Sequence, residues 1–135
     1  MLGHHWRLRA SNTQNQSITV TVKARYWKFA SDGSITWSTE QTLINAVSVS
    51  ATTGTTASST VDNSTDKYLG AELTVSMTAA SAVTDSAGGS VTCSLERSTD
   101  GGTTWPTQDK GAFIGSYALR NADGTSARLT NYLIR

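Results

Sequence analysis

The chain has 135 residues, 37% of them hydrophobic and only 16% charged, with a formal net charge of +1, which suffices for one domain with its own core but not for two. No Lys/Arg run exceeds two residues, so nothing electrostatic favours a nucleic-acid partner, and no stretch approaches the ~20 apolar residues of a membrane span. The single cysteine, Cys93, excludes an internal disulfide and any paired-cysteine metal site.

Ser and Thr together supply 40 residues. Thr is β-branched and fits a pleated surface, so this excess points to extended structure. Four Trp and clean apolar alternation argue against disorder.

The opening "MLGHHWRLRA" lacks the 7–15-residue apolar stretch of a signal peptide. Residues 1–12 are expected to be an extended N-terminal arm, and residues 13–135 a single β-sandwich domain. In "SITVTVKARYWKF" the apolar residues Ile18, Val20, Val22, Ala24 and Tyr26 alternate, and then Trp27 and Phe29 switch phase. Such a switch predicts a bulge, or a strand end covered on its other face. "LINAVSVSA" predicts a strand with Leu43, Val47 and Val49 on one side. Residues 50–67, low in complexity, read as a long surface connection with room for a short strand.

"YLGAELTVSM" places Leu69, Ala71, Leu73, Val75 and Met77 on one face of a half-buried strand. "SVTCSLERS" repeats the pattern with Val91, Cys93 and Leu95 inward and Thr92, Ser94 and Glu96 outward. Cys93 is read as a small core residue. "AFIGSYALR" sets Phe113, Tyr117 and Leu119 on one side, and "ARLTNYLIR" is extended and apolar to the end of the sequence. No stretch shows a helical period. The fold class is therefore all-β, an antiparallel β-sandwich of jelly-roll type.

One internal echo stands out. "ASDGSITW" (30–37) matches "STDGGTTW" (98–105), keeping Asp32/Asp100, Gly33/Gly101, Thr36/Thr104 and Trp37/Trp105. Both are expected to be Asp-Gly hairpins: the glycine supplies positive φ, the carboxylate accepts turn N–H bonds, and the Trp packs on the strands. The second copy, Ser98-x-Asp100-x-Gly102-x-Thr104-Trp105, is an Asp-box, a pattern that recurs in sialidases. Those enzymes are propellers several times longer, with the box away from the catalytic face, so here the box reads as a structural clip and not as a glycosidase signature.

Other candidates for chemistry are weak. His4 and His5, adjacent in an extended segment, point opposite ways and lack a third ligand. Asp62, Asp66, Glu72, Asp85, Glu96 and Asp109 are carboxylates without a supporting motif for paired acid catalysis. Of Trp6, Trp27, Trp37 and Trp105, three are expected to be buried and Trp6 to sit in a partner interface.

"YLGAELTVSMTA", "VTCSLERSTDGGTTW" and "FIGSYALRNADGTSARLTNYLIR" together resemble the small all-β structural proteins encoded among the virion genes of tailed bacteriophages. The resemblance spans roughly residues 65–135. It implies a non-enzymatic virion component, made in the host bacterial cytoplasm, without cofactor, metal, nucleic acid or membrane. The expected role is a capsid decoration (cement) protein, which binds copies of itself and a major capsid protein. A tail or fibre component, or a carbohydrate-binding module with aromatics aligned on one exposed face, are the alternatives. The assembly contacts are expected at the ends of the chain, at His4, His5, Trp6, Arg7, Leu133 and Arg135.

Overall fold

Period-two burial runs along residues 5–12, 18–26, 71–79 and 91–95. The computed structural model describes residues 2–79, 89–106, 112–117 and 127–134. They form ten strands and, among the described residues, no helix: β1 (His5–Asn12), β2 (Ile18–Phe29), β3 (Ile35–Trp37), β4 (Gln41–Val49), β5 (Gly54–Ala57), β6 (Val61–Asp62), β7 (Gly70–Ala79), β8 (Val91–Ser98), β9 (Ala112–Tyr117) and β10 (Ala127–Ile134). One sheet has the order β5-β1-β8-β9, with β6 also on β1. The other has the order β10-β7-β2-β3, with β4 also on β2. All pairings are antiparallel. The two sheets face each other in the β-sandwich arrangement.

The core is where the alternation places it. Ile18, Val20, Val22, Ala24 and Tyr26 of β2 and Ala71, Leu73, Val75, Met77 and Ala79 of β7 are buried, as are Val91, Cys93 and Leu95 of β8. Each large aliphatic side chain removed from water contributes about 1.5–3 kcal/mol. Cys93 is 3% exposed, and burial pushes its thiol up to about 11.

Several expectations are corrected. Residues 5–12 are not an arm set apart from the domain, because β1 lies inside its sheet between β5/β6 and β8. Trp6, Leu8, Ala10 and Asn12 point inward from it and are all at most 2% exposed. Trp6 is therefore a core residue and not an interface residue. It alternates with Arg7 and Arg9, whose charge disguised a core strand as a solvated end.

β4 buries Ile44 and Val49 while leaving Val47 37% exposed, against the expected Leu43, Val47 and Val49. Ile44 turns inward in place of Leu43 because the β2–β4 register breaks between Val20 and Val22, beside Ala46 with φ of 48°. A left-handed residue there adds one position and inverts the side-chain phase. Nothing in the pairing explains the exposure of Val47, which lies opposite Val20 ahead of the break. Residues 50–67, read as a surface connection, contribute β5 and β6 to the edge of β1.

The buried amides of Asn12 and Asn63 are bonded in place. The Asn12 amide nitrogen donates to the carbonyls of Gln16, Val49 and Ser50, and its oxygen accepts from the Gln14 N–H. Asn63, 3% exposed, bonds both the N–H and the carbonyl of Tyr68. Each such side chain replaces backbone partners that the loops lack. The side chains of Phe113, Tyr117 and Leu133, and residues Asp85, Asp109, Leu119 and Arg135, lie outside the described part of the structure; the Leu133 backbone pairs with Glu72 in β10–β7.

Candidate interaction surface

Both Asp-Gly turns lie at one end of the sandwich. Leu2 N–H donates to the Leu69 carbonyl at 3.2 Å and Asn63 N–H to the His4 carbonyl at 2.6 Å, so β1 and β7 start side by side. β8 ends against the start of β1, with Ser98 opposite His5, and β2 runs past the start of β7, with Trp27 opposite Gly70.

The Asp100 turn is held by its carboxylate. Oδ1 accepts from the Ser98 hydroxyl at 2.7 Å and from the N–H groups of Thr103 and Thr104 at 3.1 and 2.9 Å, and Oδ2 accepts from the Thr104 hydroxyl at 2.5 Å. Ser98 Oγ also accepts from the Gly102 N–H at 2.9 Å. Gly101 and Gly102 both have positive φ, 76° and 89°, which suits residues without Cβ. These bonds to the charged form hold the Asp100 carboxyl far below the usual carboxylate range, the Ser98 and Thr104 hydroxyls contributing most. A carboxylate so engaged is a turn clip and a poor proton donor.

Trp105 of this turn folds over the outer face of its sheet. Its ring stacks on the Arg7 guanidinium at 4.4 Å. Arg7 Nε donates to Glu96 at 2.6 Å, and Arg9 adds a contact at 3.4 Å. Glu96 is thereby 1% exposed, although alternation puts it on the outer face. The expected solvent-facing carboxylate is instead a sealed ion pair, because two arginines of β1 and an aromatic ring cover it. Arg7, expected at an assembly contact, serves this pair.

The Asp32 turn closes β2 onto β3. Ala30 N–H donates to the Ser34 carbonyl at 2.8 Å, and Asp32 Oδ1 accepts from the Ser34 N–H at 2.9 Å and hydroxyl at 2.7 Å. The two strands register Trp27 opposite Trp37 and Phe29 opposite Ile35. Directly opposite residues share a face, so four large apolar side chains stand together on the outside of this hairpin. Phe29 is 56% exposed, Ile35 54% and Trp37 43%. Arg25 lies over the Trp37 ring at 5.4 Å, and Trp27 stands edge-on to Phe29 with an interplanar angle of 79°.

The phase switch at Trp27 and Phe29 is thus neither a bulge nor a covered strand end, since β2 pairs with β7 without interruption from Ile18 to Trp27. The strand simply outruns the core, and its outer face carries the aromatics into water. Of the four tryptophans only Trp6 is fully buried, contrary to the expected three.

His5 Nε2 lies 3.6 Å from Asp62 Oδ1. His4 lines an apolar pocket of about 280 Å³ with Leu2, Asn63, Lys67, Tyr68 and Leu69. Lys28 caps the Tyr68 ring at 5.0 Å, close by.

No family model matches this chain, and no match is found among curated proteins or among solved structures.

Proposed function

We propose that the chain is a non-enzymatic virion structural protein of a tailed bacteriophage, most simply a capsid decoration protein that docks on the major capsid shell. The observation that carries this reading is the concentration of exposed apolar side chains: Phe29, Ile35 and Trp37 all sit on the β2–β3 hairpin. A contiguous apolar patch on an otherwise polar surface marks a binding face. Two of the carboxylates, Asp100 and Glu96, are committed to a turn and an ion pair. Trp6 no longer serves as the contact, since it is buried in a core strand; the hairpin takes that role. A tail location uses the same surface against a tail protein.

The sandwich in this proposal is not wound as a jelly roll. β2–β4 and β8–β9 are both hairpins inside a single sheet, whereas a jelly roll sends nearly every consecutive strand to the opposite sheet.

Carbohydrate binding is the second reading, favoured by three aromatics on one exposed face. It ranks lower because Trp27 and Phe29 meet edge to face and Arg25 covers one side of Trp37, which leaves no pair of parallel open rings for a sugar to stack on. Sedimentation of the purified chain, alone and with empty phage shells, tests the proposal. Saturable binding to shells supports it. A monomer indifferent to shells and tails, but retained on a polysaccharide gel, replaces it with the second reading.

A further inference from the structure

The sandwich is two copies of one unit. Asn12 and Ala79 are 67 residues apart, and Ile18 and Val91 are 73 apart. Shifting β1 onto β7 and β8 onto β2 by those amounts carries the paired series from His5↔Ser98 to Asn12↔Val91 onto the series from Glu72↔Arg25 to Ala79↔Ile18, without a slip. A 68-residue shift carries β4 onto β9: Ile18↔Val49, Val20↔Val47 and Val22↔Ile44 become Val91↔Tyr117, Cys93↔Gly115 and Leu95↔Ala112, with a register break at the same place in both. A 72-residue shift carries β5 onto β10. Strand order β5-β1-β8-β9 thus becomes β10-β7-β2-β4.

The sequence keeps a trace in this frame. Leu2-Gly3 corresponds to Leu69-Gly70, and "SITVTV" (17–22) corresponds to "SVTCSL" (90–95).

The copies differ where the surface patch lies. Arg25 corresponds to Ser98 at a shift of 73, but Asp32 corresponds to Asp100 at a shift of 68. The first copy therefore holds five extra residues ahead of its Asp turn, and Trp27 and Phe29 are among them. The second copy completes its turn without this extension, so the hairpin face is an addition to the shared fold.

The charges differ as well. At the second copy's turn, the guanidinium under Trp105 is that of Arg7 from β1 of the first copy, and it is neutralised by buried Glu96. The position corresponding to Glu96 in the first copy is Lys23, which pairs with Glu40 at 2.8 Å. Arg25 under Trp37 makes no ion pair among the described residues.

We infer that the hairpin extension of the first copy is the docking element, and that it takes an apolar cleft of a different protein chain with a carboxylate at its edge to meet Arg25. This deepens the assembly reading and rests on it only for the identity of the partner. A second copy of the chain is a poorer occupant: its apolar pocket beside Tyr68 is rimmed by Lys67, of the same sign as Arg25, and its other cleft, which does hold a carboxylate in Asp62, is lined mainly by polar groups such as Gln41, Thr42, Ser59 and Thr60.

A photo-crosslinking residue at position 35 of the full chain, produced during virion assembly, tests the inference, with position 103 in the other turn as control. The expected result is an adduct to another protein at 35 and none at 103. The purified pair should then lose about tenfold or more in affinity on Phe29→Ser or Trp37→Ser, and again on Arg25→Glu, at unchanged melting temperature. Adducts only between copies of this chain, equal adducts at both positions, no adduct, or affinities indifferent to these substitutions would overturn it. A partner that is not a virion protein, bound with this same dependence, would keep the docking inference and discard the virion reading.

Discussion

Trp6 of one sheet stands edge-on to Tyr26 of the other, with ring centroids 5.8 Å apart and planes at 84°. This contact ties the start of β1 to the far end of β2 across the sandwich, and Tyr26 in turn packs on Tyr68 at 5.3 Å. Desolvation, with Tyr68 adding to it, pushes the Tyr26 hydroxyl up to about 12, as suits a phenol held in the core.

Trp6→Ala should accordingly cost about 3–5 kcal/mol, the usual range for emptying a large aromatic site in a core. Chemical denaturation followed by circular dichroism measures it. A Trp6→Ala variant of unchanged stability would contradict the placement of β1 inside the sheet.

The Asp100 clip makes a pH prediction. Its folded pKa lies below the unfolded value, so its contribution is fully present above the ordinary carboxylate range near pH ~3.9 and is lost as pH falls through the folded pKa. The melting temperature of the parent should exceed that of Asp100→Asn by a constant margin from neutral pH to about pH 5, and the margin should shrink in stronger acid. A margin that grows on acidification would reverse the sign and refute the clip.

Glu96→Ala should destabilise the protein by roughly 2–4 kcal/mol, because it leaves Arg7, under the Trp105 ring, and Arg9 without a counter-charge. Asp66→Ala, which loses only an exposed 3.9 Å pair with Lys28, should change stability by less than about 0.5 kcal/mol. Thermal melts of the two variants side by side provide the comparison.

Cys93 should resist thiol reagents at pH 8 in the folded protein, since the nucleophilic thiolate is suppressed by a pKa of about 11 and the sulfur is buried. Full labelling should follow only in denaturant. Rapid labelling of the native protein would mean that β8 opens far more readily than a core strand should.

Alternation within single strands was legible because burial on one face imposes a period of two whatever the neighbours are. β7 from Ala71 onward and the first nine residues of β2 show this, residue for residue. The same rule failed at β4, whose register against β2 shifts twice, once beside left-handed Ala46, and at β1, where Arg7 and Arg9 hid a buried face. Glu96 was misplaced for a related reason: a period-two pattern says which way a side chain points but not what lies over it.

The hairpin surface was half legible. The apolar residues that fall out of phase after Tyr26 were visible in the sequence, as was the repeated Asp-Gly-x-x-Thr-Trp signature. What they form depends on how far β2 runs past β7, which no local pattern encodes.

By itself, then, the sequence determined an all-β chain, the inward residues of its strongest strands and the chemistry of its two turns, since each follows from side-chain period, glycine φ preference and carboxylate hydrogen bonding over a few adjacent residues. Only the tertiary structure decided that β1 is a core strand, that the molecule is a doubled unit, and that Trp27, Phe29, Ile35 and Trp37 face water together. Those outcomes rest on pairings between residues up to 93 positions apart, such as His5 with Ser98, and long-range register is set by the fit of whole sheets, not by any one segment.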